Sequence, residues 1–455
     1  MTMNKKDYPK NDPLIGLFYG KKTGEKWYKE SLDGEKFWIE KEVKSFWSAI
    51  RKEKMAKEDF DFSGMIFPDF QTVNETFWSL GSAKRFSKKV SFRRSKFEGR
   101  AGFSKIKFEA KTTFEDAKFL EDCWFVAVSF NGVSEFRSTH FAKEVLFLGC
   151  RFNDKMRFYR TQFHLPVKFR LVSFGPATSF EQTNFRSGLH FTRNRCGSNS
   201  YIDFNDVILS DEHKTVFEIS QLDGGINDGW IQFENVIFNN RSKFMNTDFK
   251  NTSFVNCDLV PVKFYNCVFK KTNYRTFLRI EKEEYNPYEN EIIRINMKPK
   301  FIRIPYYELV GETYRQIKKN QKDSQNWAQA GDAYRSEMVM MQKVFWLKFL
   351  TKKNPVYLFN WFLLAFNGLT SGFQQSMVRP IVWLAMIYGI FALVYFLNGM
   401  VASDALYQSL FNSFPISGRI NTDENHLKAL MLLQRILSTI LLAFFGLAVR
   451  ARLKQ

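Results

Sequence analysis

Residues 101–119 read AGFSKIKFEAKTTFEDAKF, and the phenylalanines of this stretch are separated by steps of five and six residues. The same alternation of steps extends from Phe86 to Phe191. An amphipathic helix does not keep this period, and the polar gaps are too long for simple strand alternation. The central rungs of this ladder are Phe92, Phe97, Phe103, Phe108, Phe114, Phe119, Phe125, Phe130, Phe136, Phe141, Phe147 and Phe152.

A small or β-branched residue stands two positions before most rungs, as Ala101, Thr112, Ala117 and Cys123 do. Residues i and i+2 of an extended backbone point to the same side, so both members of each pair would face inward. A short repeat sustained over about a hundred residues indicates a solenoid. Four such sides would close one coil of about 20 to 22 residues, and successive coils would stack at the strand spacing of about 4.8 Å.

This motif resembles that of the pentapeptide-repeat family, whose consensus places Leu or Phe at the centre and a small residue two positions earlier. The quoted window is similar to the Phe-rich subtype with an eleven-residue double repeat, and the resemblance covers about residues 60–277. It implies a mainly β solenoid, folded as a right-handed quadrilateral β-helix. The C-terminal sequence LLAFFGLAVRARLK is similar to the ends of bacterial pentapeptide-repeat membrane proteins, which implies a bacterial source.

The formal net charge of +20 allows two interpretations. A basic surface attracts nucleic acid or anionic lipid, whereas a solvated outer face of a solenoid near a membrane would carry the same charge without a specific partner. We favour the second interpretation. Some pentapeptide-repeat proteins resemble duplex DNA and bind gyrase, but those are acidic, so the resemblance does not imply a DNA mimic here. Nucleic acid is not expected as a partner.

The cysteines and histidines do not predict a metal site. Cys123, Cys150, Cys257 and Cys267 occupy the small inward position two before a rung, so we expect buried thiols rather than disulfides or ligands. The histidines do not cluster with cysteines or paired acids. The sequence also has no Gly-rich phosphate loop and no HExxH or Gly-x-Ser-x-Gly motif. We therefore predict no catalytic residues, no cofactor and no enzyme activity.

The chain divides into four parts. An N-terminal segment with a capping helix covers 1–59, because the end of a solenoid exposes apolar rungs that need a cover. The β-helix covers 60–277, and Gly- and Asn-rich turns predict a loop insertion near 192–232, where the ladder lapses. A linker and a helical hairpin cover 278–345, and a membrane domain covers 346–455.

The membrane domain is predicted to contain four helices. The stretch from Val356 to Phe366 is too short for a bilayer core that needs about 20 residues, and it indicates an interfacial helix. Two later stretches are long and apolar enough to span. The predicted elements are an interfacial helix at 345–366, a transmembrane helix at 380–400, a short amphipathic helix at 404–414 and a transmembrane helix at 427–449.

Basic residues predict the orientation of the two spans. Arg379 precedes the first span, and Arg450, Arg452 and Lys454 follow the second, whereas the loop 402–426 has no positive excess. Cytoplasmic loops are enriched in Lys and Arg. We therefore expect a multi-pass protein of the inner (plasma) membrane with the N- and C-termini and the β-helix in the cytoplasm.

Three polar residues are candidate pore or intramembrane sites: Arg435, Gln434 and Asp404. A charge within a span costs about 2.5–3.5 kcal/mol on insertion scales. In one interpretation Arg435 faces a pore or pairs with Asp404 of the same or a neighbouring chain. In the other, the span begins just after Arg435, or its side chain snorkels to the membrane interface. The short helix is followed by NSFPISG rather than by a TVGYG-like filter, so potassium selectivity is not supported.

Two functions remain open from the sequence. In the first, the chain is anchored in the lipid bilayer and its β-helix is a scaffold or sensor for an unknown cytoplasmic protein. In the second, the chain is one subunit of a homo-oligomeric two-helix ion channel or pore-forming effector that the β-helix gates. The first needs only an anchor, whereas the second needs Arg435 and the helix 404–414 specifically.

Overall fold

The computed structural model describes residues 27–32, 35–70, 85–196, 200–209, 214–218, 229–269, 271–272, 275–276, 299–414 and 425–453. The chain forms two compact units. The first comprises residues 1–270 with 278–280, and the second comprises 271–277 with 281–455.

The first unit is a β-solenoid of about seven turns built from four parallel sheets. The chain visits the sheets in a fixed order, which we call faces 1 to 4, so faces 1 and 3 are opposite, as are faces 2 and 4. Face 1 consists of Val90–Ser91, Thr112–Thr113, Ser134–Glu135, Met156–Arg157, Thr178–Ser179, Tyr201–Asn205, Trp230–Glu234 and Thr252–Val255. Face 2 consists of Ile66–Phe67, Lys96–Phe97, Lys118–Phe119, His140–Phe141, Gln162–Phe163, Asn184–Phe185 and Ile208–Leu209. Face 3 consists of Ala101–Ser104, Cys123–Val126, Val145–Leu148, Val167–Arg170, Leu189–Thr192, Thr215–Glu218, Ser242–Met245 and Lys263–Tyr265. Face 4 consists of Arg85–Phe86, Lys107–Phe108, Ser129–Phe130, Arg151–Phe152, Ser173–Phe174 and Arg195–Cys196.

The phenylalanine ladder forms the core, as the spacing predicts. All of the predicted rungs from Phe92 to Phe152 are buried. Rings on one face stack along the axis: the ring centroids of Phe103 and Phe125 are 4.7 Å apart with an interplanar angle of 6°. Rings on the opposite faces 1 and 3 meet edge to face across the core, as Phe103 and Phe114 do at 5.8 Å. Each such pair contributes about 0.5–1.5 kcal/mol beyond the burial of its area.

The corners explain why the steps alternate between five and six residues. Arg94, Lys105, Asp116 and Ala127 have positive φ angles between 53° and 57°, and they recur every eleven residues. Each of these left-handed residues turns the chain from face 1 to face 2, or from face 3 to face 4, with a five-residue step. From Phe86 to Phe185, the other two corners lack such a residue and use one residue more. The sequence showed the double repeat but not this cause.

The small residues before the rungs join neighbouring coils. The hydroxyl of Thr139 donates a hydrogen bond to the carbonyl oxygen of Phe114 at 2.7 Å, and the Sγ of Cys150 donates to that of Phe125 at 3.2 Å. All five cysteines are buried and free. The predicted role of the cysteines as buried fillers is confirmed.

An N-terminal helix covers the first rungs, as predicted. Helix α1 (Glu40–Ala49) continues as a π-helix over Ile50–Met55. The rings of Phe46 and Trp47 contact Phe67 and Phe70. A hairpin of Tyr28–Glu30 and Lys36–Trp38 precedes this helix.

Near 192–232, where the sequence predicts a lapse with Phe204 and Leu209 as candidate rungs, the described residues continue the ladder. Phe204 stacks on Phe180 at 4.7 Å, and Leu209 and Phe217 are buried. Strands continue on faces 1, 2 and 3, because a solenoid keeps its rungs even when the corners between them lengthen. Residues 197–199, 210–213 and 219–228, which include most of the Gly- and Asn-rich turns of the predicted loop insertion, lie outside the described residues.

In its described residues, the second unit contains the hairpin of Lys271–Thr272 and Arg275–Thr276 and is otherwise helical. Its described helices are α2 (Pro299–Asp323), α3 (Trp327–Lys352), α4 (Pro355–Ser371), α5 (Val378–Leu397), α6 (Ala402–Asn412) and α7 (Asn425–Leu453). Helices α2 and α3 form the predicted hairpin and are longer than expected. Helices α5 and α7 contain two stretches, Val378–Leu397 and His426–Arg450, that are long and apolar enough to cross a membrane.

The predicted interfacial helix at 345–366 is not one helix. Helix α3 extends to Lys352 and ends at Lys353, which has a φ of 51°. Asn354 then caps α4, because its side chain accepts a hydrogen bond from the backbone nitrogen of Val356 at 2.9 Å. Pro355 occupies the first helical position, where its missing N–H costs nothing. The TKKNP sequence therefore separates two helices instead of interrupting one.

Candidate functional site

The candidate intramembrane residues lie where α5, α6 and α7 pack together. A small hydrophobic core of Phe391, Tyr395, Ala405, Leu427 and Met431 joins the three helices. A polar cluster adjoins this core. Its members are Tyr395, Ser409, Asn412, Ser413, Gln434 and Arg435.

Gln434 is at the centre of this polar cluster and is fully buried. Its Oε1 accepts a hydrogen bond from the hydroxyl of Tyr395 at 2.7 Å. Its Nε2 donates to the carbonyl oxygen of Ser409 at 2.8 Å and lies 3.1 Å from the hydroxyl of Ser413. The amide thus has partners on both α5 and α6. A buried amide without partners is costly, so this network fixes the short helix against the two long ones.

Arg435 is half-buried beside the cluster. Its Nε donates a hydrogen bond to the Oδ1 of Asn412 at 3.1 Å, at the last residue of α6. Asp404 is exposed in the first turn of the same helix. Asp404 and Asn412 are eight positions apart, so their backbones are separated by about 12 Å along the helix axis.

The predicted pairing of Arg435 with Asp404 of the same chain is therefore not formed. Within the part of the chain that the structure describes, Asp404 makes no ion pair, and its side chain meets only the hydroxyl of Ser403 at 3.5 Å. Pairing with a neighbouring chain stays a prediction. The structure brings Gln434 and Arg435 together with α6, and it leaves Asp404 outside the cluster.

Sequence analysis missed Tyr395, Ser409, Asn412 and Ser413. The last three recur at i, i+3 and i+4, which places them on one helical face. The prediction of an amphipathic helix at 404–414 rested only on the opposite, apolar face of this helix. A polar stripe on a helix next to a span that contains Gln434 was a usable signal.

The outer surfaces of α5, α6 and α7 are apolar. Large hydrophobic side chains that should be inside a water-soluble protein are exposed along all three helices. They are Val378, Ile381, Val382, Met386, Ile390, Leu393, Phe396 and Leu397 on α5, Leu406, Tyr407, Leu410 and Phe411 on α6, and Leu432, Leu433, Ile436, Ile440 and Leu447 on α7. Apolar patches of this extent mark contact with a membrane or with other protein.

The solenoid has a shallow groove on face 1 whose charges neutralise one another. Glu135 pairs with Arg157 at 3.2 Å and with Lys111 at 2.7 Å. The guanidinium of Arg137 lies 5.3 Å from the ring centroid of Tyr159. In the described residues, no three His, Cys, Asp or Glu side chains converge as a metal site would require. The groove offers neither a nucleophile with an adjacent base nor a ligand set.

One carboxyl on face 1 is electrostatically unusual. Burial, followed by the nearby carboxylate of Glu234, raises the pKa of Asp203 from 3.8 to about 7. One oxygen of the Asp203 carboxyl is buried without a hydrogen-bond partner. No reacting group lies beside it, so this carboxyl affects the pH dependence of stability rather than chemistry.

In comparisons with known proteins, no family model matches the sequence, and no curated protein and no solved structure matches it either. The fold is established by the geometry of the chain itself, as a β-solenoid with stacked parallel coils and regularly spaced phenylalanines.

Proposed function

We propose that this chain is a membrane-anchored protein of the pentapeptide-repeat type. In this proposal α5 and α7 span the plasma membrane of a bacterium, both termini lie in the cytoplasm, and the β-helix is a rigid scaffold for a cytoplasmic protein. The anchor keeps the scaffold at the membrane, and the outer faces of the solenoid are available for binding. No chemistry on a substrate is part of the proposal.

The observation that supports the anchor is the distribution of side chains on α5, α6 and α7, which is the reverse of that in a water-soluble protein. Their polar side chains are used inside the three-helix packing, where Gln434 has partners on two other helices. Their exposed side chains are Leu, Ile, Val, Met and Phe over most of the helix lengths. In water this arrangement would expose the residues that drive folding, whereas in lipid it places those apolar side chains against acyl chains.

The pore subunit is the second candidate, and two observations favour it. Arg435 is only half-buried, and the apolar side of α6 is exposed at Leu406 and Leu410. In an oligomer, α6 could pack against a neighbouring chain and Arg435 could line a channel. The hydrogen bonds of Gln434 argue against a pore subunit, because its side-chain amide is already bonded to groups of the same chain and does not face a channel.

Reconstitution in liposomes separates the two candidates. The full-length protein, a chain that ends before Pro380 and the variant Arg435→Leu are compared for resistance to alkaline extraction and for ion flux. The anchor predicts that the full-length protein and Arg435→Leu resist extraction equally, that the shortened chain is extracted and that none conducts ions. Flux from the full-length protein that Arg435→Leu alters would contradict the scaffold and support the pore.

A further inference from the structure

Face 4 of the solenoid has a regular series of outward positions. In register along the axis, these positions hold Lys107, Ser129, Arg151, Ser173 and Arg195. Basic residues and serines therefore alternate from coil to coil, so like charges are about 10 Å apart rather than directly adjacent. The alternation lets one sheet carry several cations without strong mutual repulsion.

Three more cations lie at or beside the corner between faces 3 and 4. Lys105 and Arg193 are at the corner, and Arg170 is the last residue of a face 3 strand. We call these three together with Lys107, Arg151 and Arg195 the basic face. All six are exposed, and within the described part of the chain none of them makes an ion pair.

Several other cations of the solenoid are ion-paired within the chain. At the start of face 4, Arg85 pairs with Glu109 at 2.8 Å. On face 1, Arg93 and Arg157 pair with Glu115 and Glu135. The basic face differs from these ion-paired positions, because it groups six cations that have no acidic partner among the described residues. An unpaired surface of this kind is complementary to an anionic partner.

Apolar side chains adjoin the basic face on face 3. Trp124, Val126, Leu146 and Leu148 occupy its outward positions and are half-buried. The indole of Trp124 lies across Gly102, where an added Cβ would come within 2.5 Å of the indole Nε1. Leu171, at the corner, is 49% exposed. We call these five side chains (Trp124, Val126, Leu146, Leu148 and Leu171) the apolar patch.

We propose that the basic face and the apolar patch together bind an anionic lipid surface. The cations would contact headgroup phosphates, and Trp124 and Leu171 would reach the boundary with the acyl chains. A mixed surface of Lys, Arg, Trp and Leu is what an interfacial membrane contact requires. A nucleic acid also attracts cations, but phosphate contacts alone would leave the apolar patch in water.

This proposal rests on the membrane anchor proposed above. An anchored β-helix is held near headgroups at a high effective concentration, so weak contacts are enough to dock it. Docking would cover faces 3 and 4 and leave faces 1 and 2 for a protein partner.

A cysteine label tests the contact directly, because the native cysteines are all buried and a new surface cysteine is the preferred site of reaction. We attach a fluorophore to each of two single variants of the full-length protein. The first variant is Ser173→Cys on face 4, and the second is Gln162→Cys on the opposite face 2. The protein is placed in nanodiscs of phosphatidylcholine, with or without phosphatidylglycerol, that contain a nitroxide-labelled headgroup. We expect quenching at position 173, not at 162, that needs phosphatidylglycerol and weakens as salt rises.

Two triple variants with the same loss of charge provide the matched control. Lys107→Gln, Arg151→Gln and Arg195→Gln together should lower the ratio of docked to free β-helix by about 100-fold. Arg93→Gln, Lys111→Gln and Arg157→Gln together remove cations that are ion-paired on or beside face 1, so this ratio should stay within about twofold of the parent.

Three results would overturn the proposal. The first is equal quenching at positions 162 and 173, and the second is equal loss in the two triple variants. The third concerns labelled protein that has inserted into the discs. If its fluorescence at position 173 changes on addition of duplex DNA but not with phosphatidylglycerol, the basic face binds nucleic acid. A chain that does not insert, yet docks through position 173 on added phosphatidylglycerol vesicles, would refute the anchor and leave the lipid contact standing.

Discussion

The solenoid and the packing of α5, α6 and α7 have opposite polarity. In the solenoid the interior is phenylalanine and the surface is charged, as at the neighbouring positions Phe119 and Lys118. In the helices the interior contains Gln434 and the surface contains Leu433. A folded chain places its side chains according to the solvent around it, so the difference supports the proposed anchor, with water around the solenoid and lipid around α5, α6 and α7.

The largest expected effect tests the solenoid side of this comparison. Phe119 is fully buried and stacks on Phe97 at 4.3 Å and on Phe141 at 4.7 Å. Phe119→Ala should lower the free energy of unfolding by about 3–5 kcal/mol, because a cavity is left between two rings. Lys118→Ala, at the adjacent exposed position, should change it by less than about 0.5 kcal/mol. Urea denaturation of the full-length protein in detergent, followed by far-UV circular dichroism, measures both, and similar costs would mean that the ladder is not the core.

A smaller effect tests the helical side. Gln434→Ala leaves the hydroxyl of Tyr395 and groups on α6 without their partner. We expect a loss of about 1–2 kcal/mol in the stability of the three-helix packing. Leu433→Ala, next to it but exposed, should cost less than about 0.5 kcal/mol.

Denaturation by sodium dodecyl sulfate in mixed micelles measures these two costs. A larger cost for Leu433→Ala than for Gln434→Ala would show that the exposed leucine packs against protein. The helices would then not have the polarity described here.

The smallest effect concerns the left-handed corners. The last coils place Asn235, Asn246, Asn256 and Asn266 at positive φ, and Asn256 donates a hydrogen bond to Asn235 at 2.8 Å. The earlier coil has Ala127 at the same kind of corner, with a φ of 53°. Asn tolerates this conformation better than other residues with a Cβ.

Ala127→Asn should therefore stabilise the solenoid by about 0.5–1 kcal/mol. Ala142→Asn, which is not at a left-handed corner, serves as the control and should bring no gain. The same urea denaturation measures both variants. A loss of stability in Ala127→Asn would mean that the left-handed corners are not strained.

The sequence was sufficient for the solenoid because its contacts repeat. Residues 22 apart, such as Phe103 and Phe125, lie on adjacent coils, so one period places the rungs from Phe86 to Phe191. The same period could have located the basic face, since Lys107, Ser129 and Arg151 are also 22 apart. The sequence analysis used the period for phenylalanines and not for outward positions.

The polar cluster of the helices could not be derived in the same way. Tyr395 is 39 residues from Gln434, and no repeat relates them. The pairing depends on how three helices rotate about their axes, which packing decides and periodicity does not. Among the alternatives for Arg435, the ion pair with Asp404 of the same chain is not formed, because α6 presents Asn412 instead.

Cysteine accessibility in membranes tests the central claim most directly. Ile390 on α5 is 58% exposed and Leu433 on α7 is 48% exposed, so Ile390→Cys and Leu433→Cys add single thiols on the outer surfaces of the two helices. Both are treated with a water-soluble maleimide in open membranes and in sodium dodecyl sulfate, with Gln162→Cys on the solenoid as the reference. We predict that positions 390 and 433 react only after denaturation, while position 162 reacts in both conditions. Reaction of positions 390 and 433 in open membranes as fast as position 162 would contradict a lipid environment for α5 and α7.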